Sequence, residues 1–257
     1  MFSLYGKVAA EAARNAARAW PVALSLVAYA LILALAGRIA APRGMPGILI
    51  IILVAAACWS SYLELIAQAV AGSKIRVSWD EFKRTFGARF WDVISVMFAV
   101  FVIGYLTTSL SVGAGRNGVA VSAIFGIAMA FFFNAVPELL YQGRTRSFWL
   151  LMSSARFMLA NPVVWLLPNL ALAALALGAS GRLQFHNPAE LLIAFGNTFS
   201  SPIGVAGLFT GLPLWALPVA LFVLHYAMVF RGILFRELTS GTGGNARLRA
   251  FQATLRR

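Results

Sequence analysis

The chain has 257 residues, 61% of them hydrophobic and only 11% charged. A soluble domain averages roughly 25% charged residues, so this much apolar surface does not fit inside a soluble core. Several uncharged runs exceed the ~18 residues that mark a transmembrane helix, and the chain reads as an all-α polytopic membrane protein. Its net charge of +13 then points to anionic headgroups and the positive-inside rule. Nucleic acid is not a fitting partner, because no soluble domain is left to carry it.

Residues 1–19, "MFSLYGKVAAEAARNAARA", read as an amphipathic interfacial helix. Lys7, Glu11, Arg14 and Arg18 line one face, and Leu4, Tyr5, Val8 and Ala12 line another. The segment lacks the central apolar block of a secretory signal. Residues 20–240 read as a bundle of six spans, at about 20–41, 47–72, 91–113, 118–142, 162–180 and 203–230. The segments on the side of the N-terminus hold 17 Lys and Arg and the opposite loops hold four. This bias predicts an inner (plasma) membrane protein with both termini in the cytoplasm. Cys58 lies in an apolar run. Alone it forms neither an intrachain disulfide nor a thiolate metal site, and it reads as a small buried hydrophobe.

Two further cytoplasmic segments are amphipathic. In "SWDEFKRTFGARFW", Trp79, Phe82, Phe86 and Phe90 recur at helical spacing, with a capping-box pattern at Ser78 and Glu81 and with Lys83 and Arg84 off the stripe. In "SFWLLMSSARFMLANP", Phe148, Leu151, Met152, Ala155, Met158 and Leu159 make an apolar face, with Arg156 away from it. Asn161-Pro162 ends that element. Each of three units thus joins an interfacial helix to a transmembrane hairpin. "ARAWPV" at residues 17–22 resembles "ARFWDV" at 88–93, and Pro162-Val163 echoes Pro21-Val22. These matches suggest a triplicated hairpin with all units starting on one side.

The third unit departs from this pattern. Residues 181–201 form a long outer segment, within which "AELLIAF" fits a short surface helix. The sixth span carries Gly204, Gly207, Gly211, Pro213 and Pro218, which favour close approach and a kink or break. Residues 241–257 read as a flexible linker and a basic tail.

Each even-numbered span carries an ionisable residue in its cytoplasmic half: Glu64, Glu138 and His225, with Glu64 the deeper of the two acids. Burying a charge in hydrocarbon costs several kcal/mol, so such groups face a partner or a cavity. In one reading each acid pairs with an arginine of the neighbouring interfacial helix. In a second, the three residues meet on an inner cavity and bind a cation, a proton or a polar headgroup. In a third, they snorkel to the interface. Gln68, Asn134 and Asn169 fit interhelical hydrogen bonds. No HExxH, GxSxG or P-loop pattern occurs, and no residue recommends itself as catalytic.

The stretches "SWDEFKRTFGARFWDVI", "PELLYQGRTRSFWLLMSSARFMLANP" and "FRGILFREL" give the chain a resemblance, over roughly residues 75–240, to a broad group of bacterial and archaeal six-helix inner-membrane proteins of unknown function. The membrane domain attached to some glycerophosphodiester phosphodiesterases is related to that group in layout. The group commonly has a Pro-Gly pair early in the fourth span, where this chain has only Gly126. It also often has an acid after that span, where this chain has Gln142-Gly143. The resemblance implies a six-helix fold and no activity, since a phosphodiesterase domain is missing.

The expected function is that of a non-catalytic membrane protein organising lipid or protein partners, self-association included, at the cytoplasmic leaflet. Arg84, Arg89, Arg144, Arg146 and Arg156 are the expected contacts to anionic lipid, and no cofactor or metal is expected. The alternative is a transporter or permease-like component moving a small or lipid-like substrate past Glu64, Glu138 and His225 through a cavity lined by the interrupted sixth span.

Overall fold

A computed structural model describes residues 2–73, 79–143, 148–179 and 217–240. Within these residues the chain is helical, with no strand. The helices are α1 (Phe2–Arg18), α2 (Pro21–Ala40), α3 (Met45–Val70), α4 (Trp79–Thr85), α5 (Phe90–Gly113), α6 (Gly118–Phe132), α7 (Val136–Gln142), α8 (Phe148–Ala160), α9 (Pro162–Ala179) and α10 (Leu217–Ser240). Five stretches are long and apolar enough to cross a membrane: Pro21–Arg43, Met45–Val70, Phe90–Gly113, Gly115–Gln142 and Pro218–Ser240. A sixth is counted if α8 and α9 make one broken span; they meet at a bend of 94°. Proline placement explains several helix starts, since Pro21, Pro137 and Pro162 each open a helix where a missing N–H is harmless.

Helix α3 is the hub, in contact with α1, α2, α4, α5, α7 and α10. The core lies at one end of the bundle, the end that carries α1, α4 and α8. There α3 buries residues from Ala55 to Val70, α7 buries Val136 to Tyr141, and α10 buries Leu224 to Phe235. At the opposite, hairpin end the buried residues among those described are Ala40, Gly47 and Gly118, all beside tight turns. The contrast runs through whole spans. The apolar stretches of α3 and α10 are 50% and 61% buried, against 11% for α5 and 17% for α6–α7.

Helix α1 packs lengthwise on α10. Its inward face is Val8, Ala12, Asn15 and Ala16, small enough for the backbones to approach closely. Tyr5 donates to the Val164 carbonyl at 3.0 Å, and Asn15 to the Val70 carbonyl at 3.4 Å. Arg236 of α10 reaches Glu11 at 2.6 Å and the Val70 carbonyl at 3.1 Å. Lys7 and Glu237 add a looser pair at 3.9 Å. This segment is therefore clasped to the bundle along its length.

The aromatic stripe expected from residues 79 to 90 does not run on one helix. Gly87 has a φ of +74°, a left-handed conformation that a β-carbon disfavours, and it ends α4 and turns the chain into α5. Phe86 is left largely exposed, while Phe90 packs on the core. On α8 the buried face is Leu150, Leu151, Ser154, Phe157 and Met158, whereas Met152 and Leu159 point outward. The capping residue Ser78, the outer segment 181–201, the glycines of 204–211, Pro213 and the tail 241–257 lie outside the described residues.

Candidate functional site

The fourth span is broken where α6 meets α7. Pro137 has no N–H to give the Phe133 carbonyl. Val136 instead donates to Phe133 at 3.1 Å, which leaves the Phe132 carbonyl without its usual helical partner. Such groups must be satisfied at membrane depth. Ser154 of α8 donates to Phe132 at 2.7 Å, and Arg231 of α10 donates to the Asn134 carbonyl at 2.6 Å. The break thus draws in two neighbouring helices.

Arg231 is wholly buried, as is Glu138. Its Nε meets Glu138 Oε1 at 2.7 Å, and its Nη2 meets Oε2 at 2.9 Å, a bidentate pair. Nη2 also donates to the Asn134 carbonyl. Nη1 faces the side-chain oxygens of Asn134 at 3.3 Å and Asn169 at 3.4 Å. These contacts occupy all five N–H donors of the guanidinium. Trp165 donates its indole N–H to Asn134 Oδ1 at 2.8 Å and lies 5.0 Å from the guanidinium carbon, which adds a cation–π contact. Phe157 and Phe235 stack around Trp165 at ring separations of 5.2 and 6.2 Å.

Glu64 has a different partner. Its Oε2 accepts from Arg89 Nε at 2.8 Å, and Arg89 Nη1 reaches the Leu140 carbonyl at 2.7 Å. The backbone N–H of Arg89 donates to Ser60 Oγ at 2.7 Å. Nearby, Tyr29, Ser61 and Thr85 form a hydroxyl chain with steps of 2.7 and 3.3 Å, tying α2 and α4 to α3. This pair is a quarter exposed on each side chain.

His225 is fully buried, and neither ring nitrogen has a partner in hydrogen-bonding geometry among the described residues. The Tyr62 and Tyr141 hydroxyls and Asn134 Nδ2 are likewise unpartnered. Glu64, Glu138 and His225 therefore occupy three separate environments and make no contact with one another among the described hydrogen bonds and ion pairs. Of the expected lipid contacts, Arg84 and Arg156 are exposed and Arg89 is partly buried. Arg144 and Arg146 lie outside the described residues.

The sixth span does not end near residue 230: α10 continues to Ser240, so Arg231, which the charge count assigns to the cytoplasmic cations, is instead wholly buried within the helix. Arg231 is flanked by "AMVF" and "GILF", and an arginine inside so apolar a run was the available signal. Glu138 accordingly pairs across 93 residues. No protein-family model, curated protein or solved structure matches the chain.

Proposed function

We propose that this is a non-catalytic, six-span inner-membrane protein that organises lipid or protein partners at the cytoplasmic leaflet. The observation that carries the reading is the closed state of its central polar group. Glu138 is held by a guanidinium whose five donors are all engaged, so the site works as a staple between α7, α9 and α10. Glu64 is likewise tied to Arg89.

The end that carries α1, α4 and α8 then faces the cytoplasm. Trp20, Trp91 and Trp149 are 50% exposed or more and mark the starts of α2, α5 and α8, as an interfacial aromatic belt does. Helix α2, at 20 residues, is about 30 Å long, enough to cross the hydrocarbon. Exposed Arg14, Arg18, Lys83 and Arg84 lie at headgroup level, where each is worth about 1 kcal/mol of attraction to anionic lipid. Three parallel hairpin units, the third diverged, fit the same arrangement.

One observation favours the transport alternative. The Tyr62 and Tyr141 hydroxyls, Asn134 Nδ2 and the His225 ring are buried and unpartnered, and water-filled cavities satisfy groups of this kind. Native mass spectrometry of gently extracted protein separates the readings. A protein partner at fixed stoichiometry, or retained phospholipid, supports the organising role. A retained small polar solute, together with labelling by aqueous thiol reagents of cysteines placed beside Tyr62 and Tyr141, overturns it in favour of transport.

A further inference from the structure

The Arg89–Glu64 pair is saturated on one side only. Arg89 uses Nε for Glu64 and Nη1 for the Leu140 carbonyl, and Glu64 uses Oε2 for Arg89. Arg89 Nη2 and Glu64 Oε1 have no partner among the described residues. Both side chains are a quarter exposed, in contrast to the sealed Glu138–Arg231 pair at 0%. The place is also specific. Glu64 lies about 29 Å along α3 from its start at Met45, at 1.5 Å per residue, which is the hydrocarbon thickness. Two residues from Arg89 stands Trp91, 76% exposed, and Phe86 is 40% exposed. Lys83 and Arg84 are exposed on the last turn of α4. An unoccupied guanidinium edge and an unoccupied carboxylate oxygen therefore sit together at headgroup depth, beside aromatic rings that suit acyl chains.

We propose that this pair is a headgroup site selective for a phospholipid carrying both a phosphate and a primary ammonium, the phosphoethanolamine class. Arg89 Nη2 donates to the phosphate and Glu64 Oε1 accepts from the ammonium. A purely anionic headgroup meets repulsion from Glu64, and a quaternary choline has no N–H to donate. This deepens the lipid-organising reading above and rests on it.

The test uses the full chain in nanodiscs of equimolar phosphatidylethanolamine, phosphatidylglycerol and phosphatidylcholine, with the co-retained lipid counted by native mass spectrometry. Wild type retains phosphatidylethanolamine over both others by about tenfold, the factor expected of one hydrogen bond to a charged group. Glu64→Gln keeps an acceptor for Arg89 and so preserves the fold, but loses the preference and takes phosphatidylglycerol at least as well. Equal retention of the three lipids by wild type, or an unchanged preference in Glu64→Gln, overturns the headgroup assignment and leaves the organising role standing. Retention of no lipid overturns the headgroup assignment and leaves the organising role to protein partners alone. Free phosphoethanolamine competing as well as the lipid would move the site to a soluble ligand and overturn the lipid assignment.

Discussion

Glu138→Gln is the substitution that tests the central staple most directly. It keeps the side-chain shape and removes the charge, which leaves Arg231 buried at 0% exposure opposite a neutral amide. Removing one partner of a buried pair typically costs ~3–5 kcal/mol, because the remaining charge has lost its compensation. Arg231→Met strands Glu138 in the same way. It also takes the donor from the Asn134 carbonyl, at about 1–3 kcal/mol for a buried orphan. The double variant Glu138→Gln/Arg231→Met leaves no buried charge, only neutral orphans: the Asn134 carbonyl, the Asn169 oxygen and the new amide at position 138. Neutral orphans cost less than a stranded charge, so the double variant is expected to lose clearly less than the sum of the two single variants. SDS titration of the protein in mixed micelles, followed by helical circular dichroism, measures all three against wild type. Single variants within ~1 kcal/mol of wild type, the size of a neutral interhelical hydrogen bond, would refute the staple. So would a double variant whose loss equals the sum of the singles, since additivity means that the two groups do not interact.

Two other outcomes follow from the packing. A β-carbon at Gly232 would run into the Val70 side chain and meet the Tyr141 hydroxyl at 2.5 Å. Gly232→Ala is thus expected to cost ~1–3 kcal/mol by overpacking, with part recovered by adding Val70→Ala; a wild-type melting curve for Gly232→Ala would show that α10 does not approach α3 and α7 this closely. Arg236→Gln removes the 2.6 Å pair with Glu11, which is partly exposed and so worth about 0.2–1 kcal/mol. Its signature is local: amide hydrogen exchange in α1 quickens while α3 is unchanged, and high salt moves the wild type the same way. Unaltered exchange in α1 would mean that the clasp does not hold it.

The sequence carried the helices well and their pairings poorly, for a physical reason. Inside hydrocarbon a helix is nearly the only way to satisfy the backbone, so apolar runs locate α2, α3, α5 and α6–α7 almost by length alone. The polar partners are set by three-dimensional packing. Glu64 meets Arg89, at the start of the following unit, as an acid-to-next-helix rule would suggest. Under the proposed repeat, offsets of 71 and 141 from Arg18 give Arg89 and position 159. The latter is Leu159, exposed at 65%, so the second acid has no equivalent arginine. Glu138 turns instead to Arg231, which lies one residue past the end that the hydropathy pattern gives the sixth span. The aromatic stripe misled because periodicity alone does not register the left-handed turn at Gly87.

The uneven packing of the bundle has the same origin. Lipid tails are as apolar as leucine, so within the bilayer no hydrophobic force drives helices together. The hairpin end accordingly leaves Leu31, Leu35, Phe101, Leu106 and Leu110 more than half exposed, as a lipid-facing surface can be. Where the chain meets water the hydrophobic effect returns, and charges held near the interface need partners. That is the end where α1, α4 and α8 gather and where the Glu64–Arg89, Glu138–Arg231 and Glu11–Arg236 pairs lie. Among the described residues, tertiary packing is therefore concentrated at one end of the bundle. Apolar exchanges among the outer residues of α5 should be tolerated, while single polar changes at Asn134, Glu138 or Arg231 act on the whole fold.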